Sequence, residues 1–223
     1  MTNLKPYYNN NNDIHEIGID EAGRGPLFGR VYTSAVILPK DNSFKHEIMC
    51  DSKKIKSLKK LKELSQYIKD NSIAWSVDFQ DNNTIDKINI RQSVLTCMHN
   101  SAKNVLSKLY LPKAVLLVDG NDFKPFTHYY DDEIIPLDYY CIKGGDNQYS
   151  SIAAASILAK YERDMYILDL CDKYPILDEY YGLRSNKGYG TKKHIEGIEK
   201  YGITDMHRKT YNICKDKFTF NLL

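Results

Sequence analysis

A chain of 223 residues is long enough to bury one sizeable core, and its 42% hydrophobic and 27% charged residues exclude a disordered or fibrous protein. No apolar run approaches the roughly 18 residues that a membrane-spanning helix needs. With 31 Lys and Arg against 29 Asp and Glu the net charge is +2, so a polyanionic partner must be met by local clusters of charge.

The opening run MTNLKPYYNNNND has no apolar segment of the kind a secretory signal carries, and its asparagines Asn9 to Asn12 read as part of a disordered tail over residues 1–13. Residues 14–22, IHEIGIDEA, read as a strand that runs into the glycine-rich loop Gly23-Arg24-Gly25-Pro26. The β-branched stretch 30–38, RVYTSAVIL, is a second strand, stopped by Pro39. In 57–69 the residues Leu58, Leu61, Leu64 and Ile68 stand at helical spacing. A third strand is expected over 72–79, SIAWSVDF. Asn83 can cap a long helix that reaches about Leu109, with Ile85, Ile88, Leu95, Met98, Ala102 and Val105 near one face. The apolar run 114–118 reads as a strand buried on both faces, and it ends at Asp119-Gly120. A fifth strand is predicted over 134–142. A helix follows over 150–170, where Ala153, Ala154, Ala155, Ser156 and Ala159 suit close packing on a sheet. The last helix spans 192–201, with Gly202 as its C-terminal cap.

Three strands followed by alternating strands and helices predict an α/β fold, a mixed sheet with helices on both faces. A helical C-terminal part is expected over about 171–223. No repeat and no linker rich in Gly, Ser or Pro marks a boundary, so residues 14–223 read as a single domain. The five cysteines (Cys50, Cys97, Cys141, Cys171, Cys214) are odd in number and form no C-x-x-C pair. That speaks against a disulfide framework or a structural zinc site, and a cytoplasmic location is expected.

Asp20-Glu21 closes the first strand, Asp119 closes the fourth, and Asp146 follows the fifth. If those strands are neighbours and parallel, the acids meet at the sheet edge where ligands of open α/β sheets bind. Carboxylates so close repel one another unless a cation joins them. Oxygen ligands without His or Cys favour Mg²⁺ or Mn²⁺, and a pair of such ions suits phosphodiester cleavage. Taken singly, each acid reads as an ordinary turn or cap residue. The Asp-Glu pair beside Gly-Arg-Gly fits that plain reading least. The loop is no Walker loop, because Arg24-Gly25 stands where Lys and Ser/Thr are required, but its backbone can approach a sugar or phosphate closely. Lys53, Lys54, Lys56, Lys59, Lys60 and Lys62 form one basic cluster; Lys187, Lys192, Lys193, Arg208 and Lys209 form another. Each alone reads as a solvated face, yet two beside an acidic site suit a bound polyanion. The histidines are scattered, though His194 or His207 could assist near the second cluster, and no G-x-S-x-G elbow is present.

The run 18–29, GIDEAGRGPLFG, resembles the opening motif of ribonuclease HII, the type 2 ribonuclease H family. The similarity continues through Asp51-Ser52-Lys53-Lys54, Leu117-Val118-Asp119-Gly120, SIAAASILAKYERD over 151–164, NKGYGT over 186–191 and His207-Arg208, in the family's order over nearly the whole chain. The resemblance implies a ribonuclease-H-like mixed sheet flanked by helices. It implies that Asp20, Glu21, Asp119 and Asp146 are the catalytic acids and hold two Mg²⁺ or Mn²⁺ ions. It also implies that Gly23, Arg24 and Gly25 read a ribose 2′-hydroxyl through the backbone, that Tyr189 senses the RNA–DNA junction, and that Lys53 and Lys143 lie near phosphates. The expected substrate is an RNA/DNA hybrid, or duplex DNA with an embedded ribonucleotide, cut on the 5′ side to leave 3′-hydroxyl and 5′-phosphate ends by a monomeric endonuclease. The chain departs from the family at the fourth acid: the usual Lys-Gly-Asp is Gly144-Gly145-Asp146 here, with Lys143 one place early. Two rival readings are a hybrid-binding protein without hydrolysis and a relative that acts on DNA alone. The four acids speak against the first, and the glycine loop with Tyr189 against the second.

Overall fold

The computed structural model describes residues 4–11, 13–109 and 114–222. These contain strands β1 (His15–Ala22), β2 (Val31–Ile37), β3 (Ala74–Gln80), β4 (Ala114–Asp119), β5 (Phe126–Tyr130) and β6 (Glu133–Ile142). Helices α1 (Leu58–Asn71), α2 (Asn82–Leu109) and α3 (Ser150–Lys173) alternate with them, and α4 (Ile176–Tyr181), α5 (Leu183–Asn186) and α6 (Lys192–Tyr201) follow. A short parallel pair, β7 (Ile203–Thr204) and β8 (Thr219–Phe220), completes the C-terminal part. Among the described residues the six longer strands form one sheet in the order β3-β2-β1-β4-β6-β5. The fold is the expected mixed α/β one.

Register decides what this sheet can carry. β1 runs parallel to β4 with Ile19 opposite Val118, and β4 runs parallel to β6 with Asp119 opposite Ile142. The C-terminal ends of all three strands therefore open on one sheet edge, which is where chain direction puts Asp20, Asp119 and the turn leading to Asp146. β4 is buried at every position but its last, which explains its continuous apolar run AVLLV, and the middle of β1 is buried beside it.

Contacts divide the chain into two compact units, where the sequence suggested one domain. The first draws on 1–22, 32–78 and 95–161; the second on 23–31, 79–94 and 162–223. In the first, Val36, Leu38, Leu61, Leu64 and Ile68 pack with Ala153, Ala154, Ala155, Ile157 and Leu158 of α3. The small residues let α3 lie close, and Gly18 shows how close: a β-carbon there would stand 2.2 Å from the Ser151 backbone carbon. In the second unit Phe28, Ile167, Cys171, Leu177, Tyr181, Leu183 and Ile198 share a core.

Four expectations need correction. Residues 4–11 are docked rather than disordered: Lys5 donates its N–H to the Gln148 carbonyl at 2.8 Å, and the Glu16 carboxylate accepts the N–H groups of Tyr8 and Asn9 at 2.8 and 2.7 Å. Residues 1–3 and 12 of the expected tail lie outside the described residues. The long helix is capped by Asp81, which accepts from the Thr84 N–H at 2.7 Å, and not by Asn83. It also breaks at Asn89 (φ 64°, ψ 162°), whose side chain then caps the next turn by accepting from the Gln92 N–H at 3.0 Å. The hairpin partner β5 went unpredicted because its two-residue turn, Asp131-Asp132, has no glycine; both aspartates take positive φ (50° and 62°). The C-terminal part is not wholly helical, since β7 and β8 pair there.

Candidate active site

The acids of the first unit stand in a common electrostatic environment. Asp20 is only 4% exposed, and one of its carboxylate oxygens accepts the Glu21 N–H at 2.7 Å. Burial, then the neighbouring charges of Glu21 and Asp119, push its carboxyl well above the usual range, although the Ser156 hydroxyl and the Glu21 N–H oppose this. Asp119 is raised in the same way, by burial and then by the charge of Asp146, against a short bond of 2.6 Å from the Gly145 N–H. Asp146 is 2% exposed and meets the Lys53 ammonium at 3.3 Å and the Asn147 amide at 3.1 Å. Burial lowers Lys53, but the charges of Asp146, Asp51 and Asp20 outweigh it and hold the ammonium above its ordinary value. Asp51 moves the other way: burial raises it, yet the Lys53 N–H, the Asn147 amide and the Lys53 charge hold it below the usual carboxylate range.

Carboxyls whose hold on a proton burial and mutual repulsion strengthen are groups that a divalent cation would favour in the ionised form. The donor set is all oxygen, which fits Mg²⁺ or Mn²⁺. Among the described residues no three His, Cys, Asp or Glu side chains already converge as a cage. Asp20, Asp119 and Asp146 are each held by a hydrogen bond of their own, from the Glu21 N–H, the Gly145 N–H and the Asn147 amide. Mg²⁺ takes one or two carboxylates and completes its shell with water and phosphate, so a closed protein cage is not required.

The glycine loop belongs to the second unit, where two buried arginines shape it. Arg208 is 0% exposed. It donates to the carbonyls of Gly23 (2.6 Å), Arg24 (3.0 Å), Pro26 (2.8 Å), Gly29 (3.0 Å) and Arg30 (3.2 Å), and to the Tyr211 hydroxyl at 3.0 Å. Every donor of its planar fork thus has an oxygen to meet. Arg163 donates to the Arg30 and Phe28 carbonyls, and burial followed by the nearby charge of Arg208 lowers its pKa to about 10. Gly23 has φ +97°, and a β-carbon there would stand 2.1 Å from the Arg163 Nε, so only glycine fits. Tyr189 is 50% exposed, and its ring lies where a β-carbon on Gly25 would be 3.6 Å from Cε1. Leu27 donates its N–H to the Gly188 carbonyl at 2.8 Å, which ties the loop to the Tyr189 segment.

The structure thus brings Asp20, Glu21, Asp119, Asp146 and Lys53 into one electrostatic group, and Gly23, Arg24, Gly25 and Tyr189 into one loop cluster of the other unit. Lys143 is exposed, and the contact it makes is through its carbonyl, which accepts from the Gln148 amide at 2.9 Å. Gly144 takes the left-handed turn (φ 66°) that a lysine in its place would strain. Arg208, expected in a phosphate-facing basic cluster, is instead an internal strut. Asp51, Asn147 and Arg163 went unrecognised as parts of the two clusters, although all three lie within or beside quoted motifs; Asp51 and Asn147 are 96 positions apart, and Arg163 and Arg30 are 133 apart.

Residues 17–219 match the sequence profile of the family described as Ribonuclease HII. Ribonuclease HII of Bacteroides thetaiotaomicron is 41% identical over 213 residues, which cover 96% of each chain. Among solved structures the fold is similar to ribonuclease H2 from Pyrococcus horikoshii, with a TM-score of 0.67 and 22% identity over 90% of this chain and 95% of that one. It is also similar to a ribonuclease HIII solved in complex with Mn²⁺, with a TM-score of 0.57 and 19% identity over 84% of this chain and 70% of that one.

Proposed function

The chain belongs to the ribonuclease HII family, a metal-dependent hydrolase that cleaves the RNA of RNA/DNA hybrids, and we propose that it also cuts duplex DNA on the 5′ side of a single embedded ribonucleotide. The observation that supports this is that Asp20 and Asp119 stand toward the ends of the parallel strands β1 and β4 and Asp146 in the turn after β6, with the carboxyls of Asp20 and Asp119 held above their usual range.

In this reading Asp20, Glu21, Asp119 and Asp146 hold two divalent ions, Mg²⁺ or Mn²⁺. When bound, such ions supply the positive charge that activates water and stabilises the leaving 3′-oxygen. Lys53, whose ammonium lies 3.3 Å from Asp146, would be available to a backbone phosphate were Asp146 engaged by a cation. The exposed lysines of the Ser52–Lys54 turn and of α1 hold further phosphates, which position the duplex without reading its sequence. Gly23, Arg24 and Gly25 offer backbone groups to the 2′-hydroxyl, the one feature that distinguishes ribose from deoxyribose. Tyr189 presents its ring to the sugar after the junction. Lys143 is a weaker candidate for a phosphate contact.

The protein is read as a cytoplasmic monomer; its described cysteines are free, and no described helix is long and apolar enough to cross a membrane. The test is a duplex with one ribonucleotide, incubated with Mg²⁺, with Mn²⁺ or with a chelator, and its ends mapped. Cleavage 5′ to the ribonucleotide with 3′-hydroxyl and 5′-phosphate ends, abolished by chelation, is expected. Cleavage of a continuous hybrid without cleavage at the single ribonucleotide would overturn the proposal and leave only the family activity.

A further inference from the structure

Two histidines that the reaction does not use are buried in the second unit, His194 on α6 and His207 after β7, each 0% exposed. Aromatic rings enclose them: Tyr181 meets His207 edge-on at 4.9 Å and His194 at 5.7 Å, and Phe28 of the glycine loop meets His207 at 5.0 Å. Their nitrogens form one continuous chain. The Thr204 N–H lies 3.0 Å from Nδ1 of His207, Nε2 of His207 lies 3.1 Å from Nε2 of His194, and Nδ1 of His194 lies 3.0 Å from the Tyr189 carbonyl oxygen.

The ends of this chain fix its direction. A backbone N–H can only donate, so His207 accepts at Nδ1 and, as a neutral ring, carries its proton on Nε2. That proton is donated to Nε2 of His194, which leaves the His194 proton on Nδ1, facing a carbonyl that can only accept. The Thr204 hydroxyl, 2.9 Å from the same Nδ1 of His207, adds a second donor in the same sense. Burial disfavours a charged imidazole at either position, and at His207 the neighbouring His194 opposes it further. A second proton on either ring would set two N–H groups against each other and break the chain.

We propose that His194 and His207 are positioning residues that hold the Tyr189 segment against the glycine loop by this one-way hydrogen-bond chain, and so set the preference for an isolated ribonucleotide. The role rests on the reading of Tyr189 as a substrate contact. The chain ends on the backbone of Tyr189 itself, whose ring borders Gly25, and His207 packs on Phe28 from the same loop. Losing the donor at His194 leaves the Tyr189 carbonyl with only the local Thr191 N–H at 2.8 Å, and removes the bond that ties this segment to α6.

Two measurements test this. In the wild-type protein, ¹⁵N imidazole spectra should show His207 protonated on Nε2 and His194 on Nδ1; the opposite tautomers, or a charged ring at neutral pH, would overturn the chain whatever the enzyme does. For function, the rate on a single embedded ribonucleotide is divided by the rate on a continuous hybrid. His194→Phe keeps the volume and removes the donor, and should lower that ratio about tenfold, as Tyr189→Ala should. The double variant should lose no more than either single one, because His194 acts through Tyr189. His194→Asn, whose amide can donate from near the Nδ1 position, should keep the ratio within about threefold, a difference of well under 1 kcal/mol. An unchanged ratio in folded His194→Phe, beside a fall in Tyr189→Ala, overturns the positioning role alone. No fall in Tyr189→Ala overturns the reading of Tyr189 and the specificity role with it. If the Phe variant does not fold, a lost ratio in His194→Asn still refutes the proposal.

Discussion

Replacing Arg208 by Met removes every polar donor of a fully buried side chain and nearly preserves its length. Five carbonyls lose a charged partner: those of Gly23, Arg24, Pro26, Gly29 and Arg30. A hydrogen bond to a charged group contributes about 1.5–3 kcal/mol, but these share one guanidinium and do not add. Arg24 keeps the Tyr211 hydroxyl, which donates to the same carbonyl at 2.8 Å. Removing the cation also removes the desolvation that burial imposes on it, the cause of its lowered pKa. The net destabilisation is therefore about 3–5 kcal/mol, the usual scale for breaking a buried charged network on one side. Against a total stability of about 5–15 kcal/mol that is severe. Arg208→Lys keeps the charge but offers three donors without the planar fork, so roughly half the loss, about 2 kcal/mol, is expected. Urea unfolding followed by circular dichroism measures both, with the exposed Lys209→Met as a control expected within about 0.5 kcal/mol of wild type. The salt dependence of duplex binding separates the strut from a phosphate contact: a strut leaves the slope of log affinity against log salt unchanged, whereas a lost phosphate contact lowers it by about 0.9. A stable Arg208→Met protein with a reduced slope would refute the reasoning.

Other perturbations test the acidic group. Asp119→Asn should cut cleavage on the order of a hundredfold or more and abolish the rise in melting temperature expected of the wild type on adding Mg²⁺; near wild-type turnover would remove Asp119 from the site. Because the folded protein holds the protons of Asp20 and Asp119 more tightly than the unfolded chain does, both groups cost stability as the pH rises from the ordinary carboxylate value through their raised ones. Without divalent cations, the stability gain of Asp119→Asn over wild type should thus be small near pH 4 and grow toward neutrality, a trend that thermal unfolding across pH would contradict if the gain were flat. Lys53→Ala should lower the salt slope of duplex binding by about 0.9, and an unchanged slope would make Lys53 a partner of Asp146 only.

What the sequence made legible is what repeats with a period or ends an apolar run. β1, β4 and β6 were readable as strands from their apolar and β-branched residues, and the acids at or after their ends were readable as a possible site because chain direction alone decides where a strand stops. Parallel register then did the assembly, with Ile19 opposite Val118 and Asp119 opposite Ile142. What stayed hidden depends on a partner far along the chain. Arg208 stands beside Lys209 and reads as another cation on a wet face, yet its partners are the carbonyls of residues 23–30, nearly the whole chain away. His194 and His207 read as scattered, because a separation of thirteen positions says nothing about a 3.1 Å contact between ring nitrogens. The breaks at Asn89 and Asp131-Asp132 were missed for the opposite reason: the signal is local but chemically ambiguous, since Asn and Asp tolerate positive φ without requiring it. The two failures point the same way. Side chains that touch a substrate tend to stand in a motif at an element's end, where type and spacing expose them. The residues that hold them there do so through backbone carbonyls and ring nitrogens, and a backbone carbonyl has no sequence.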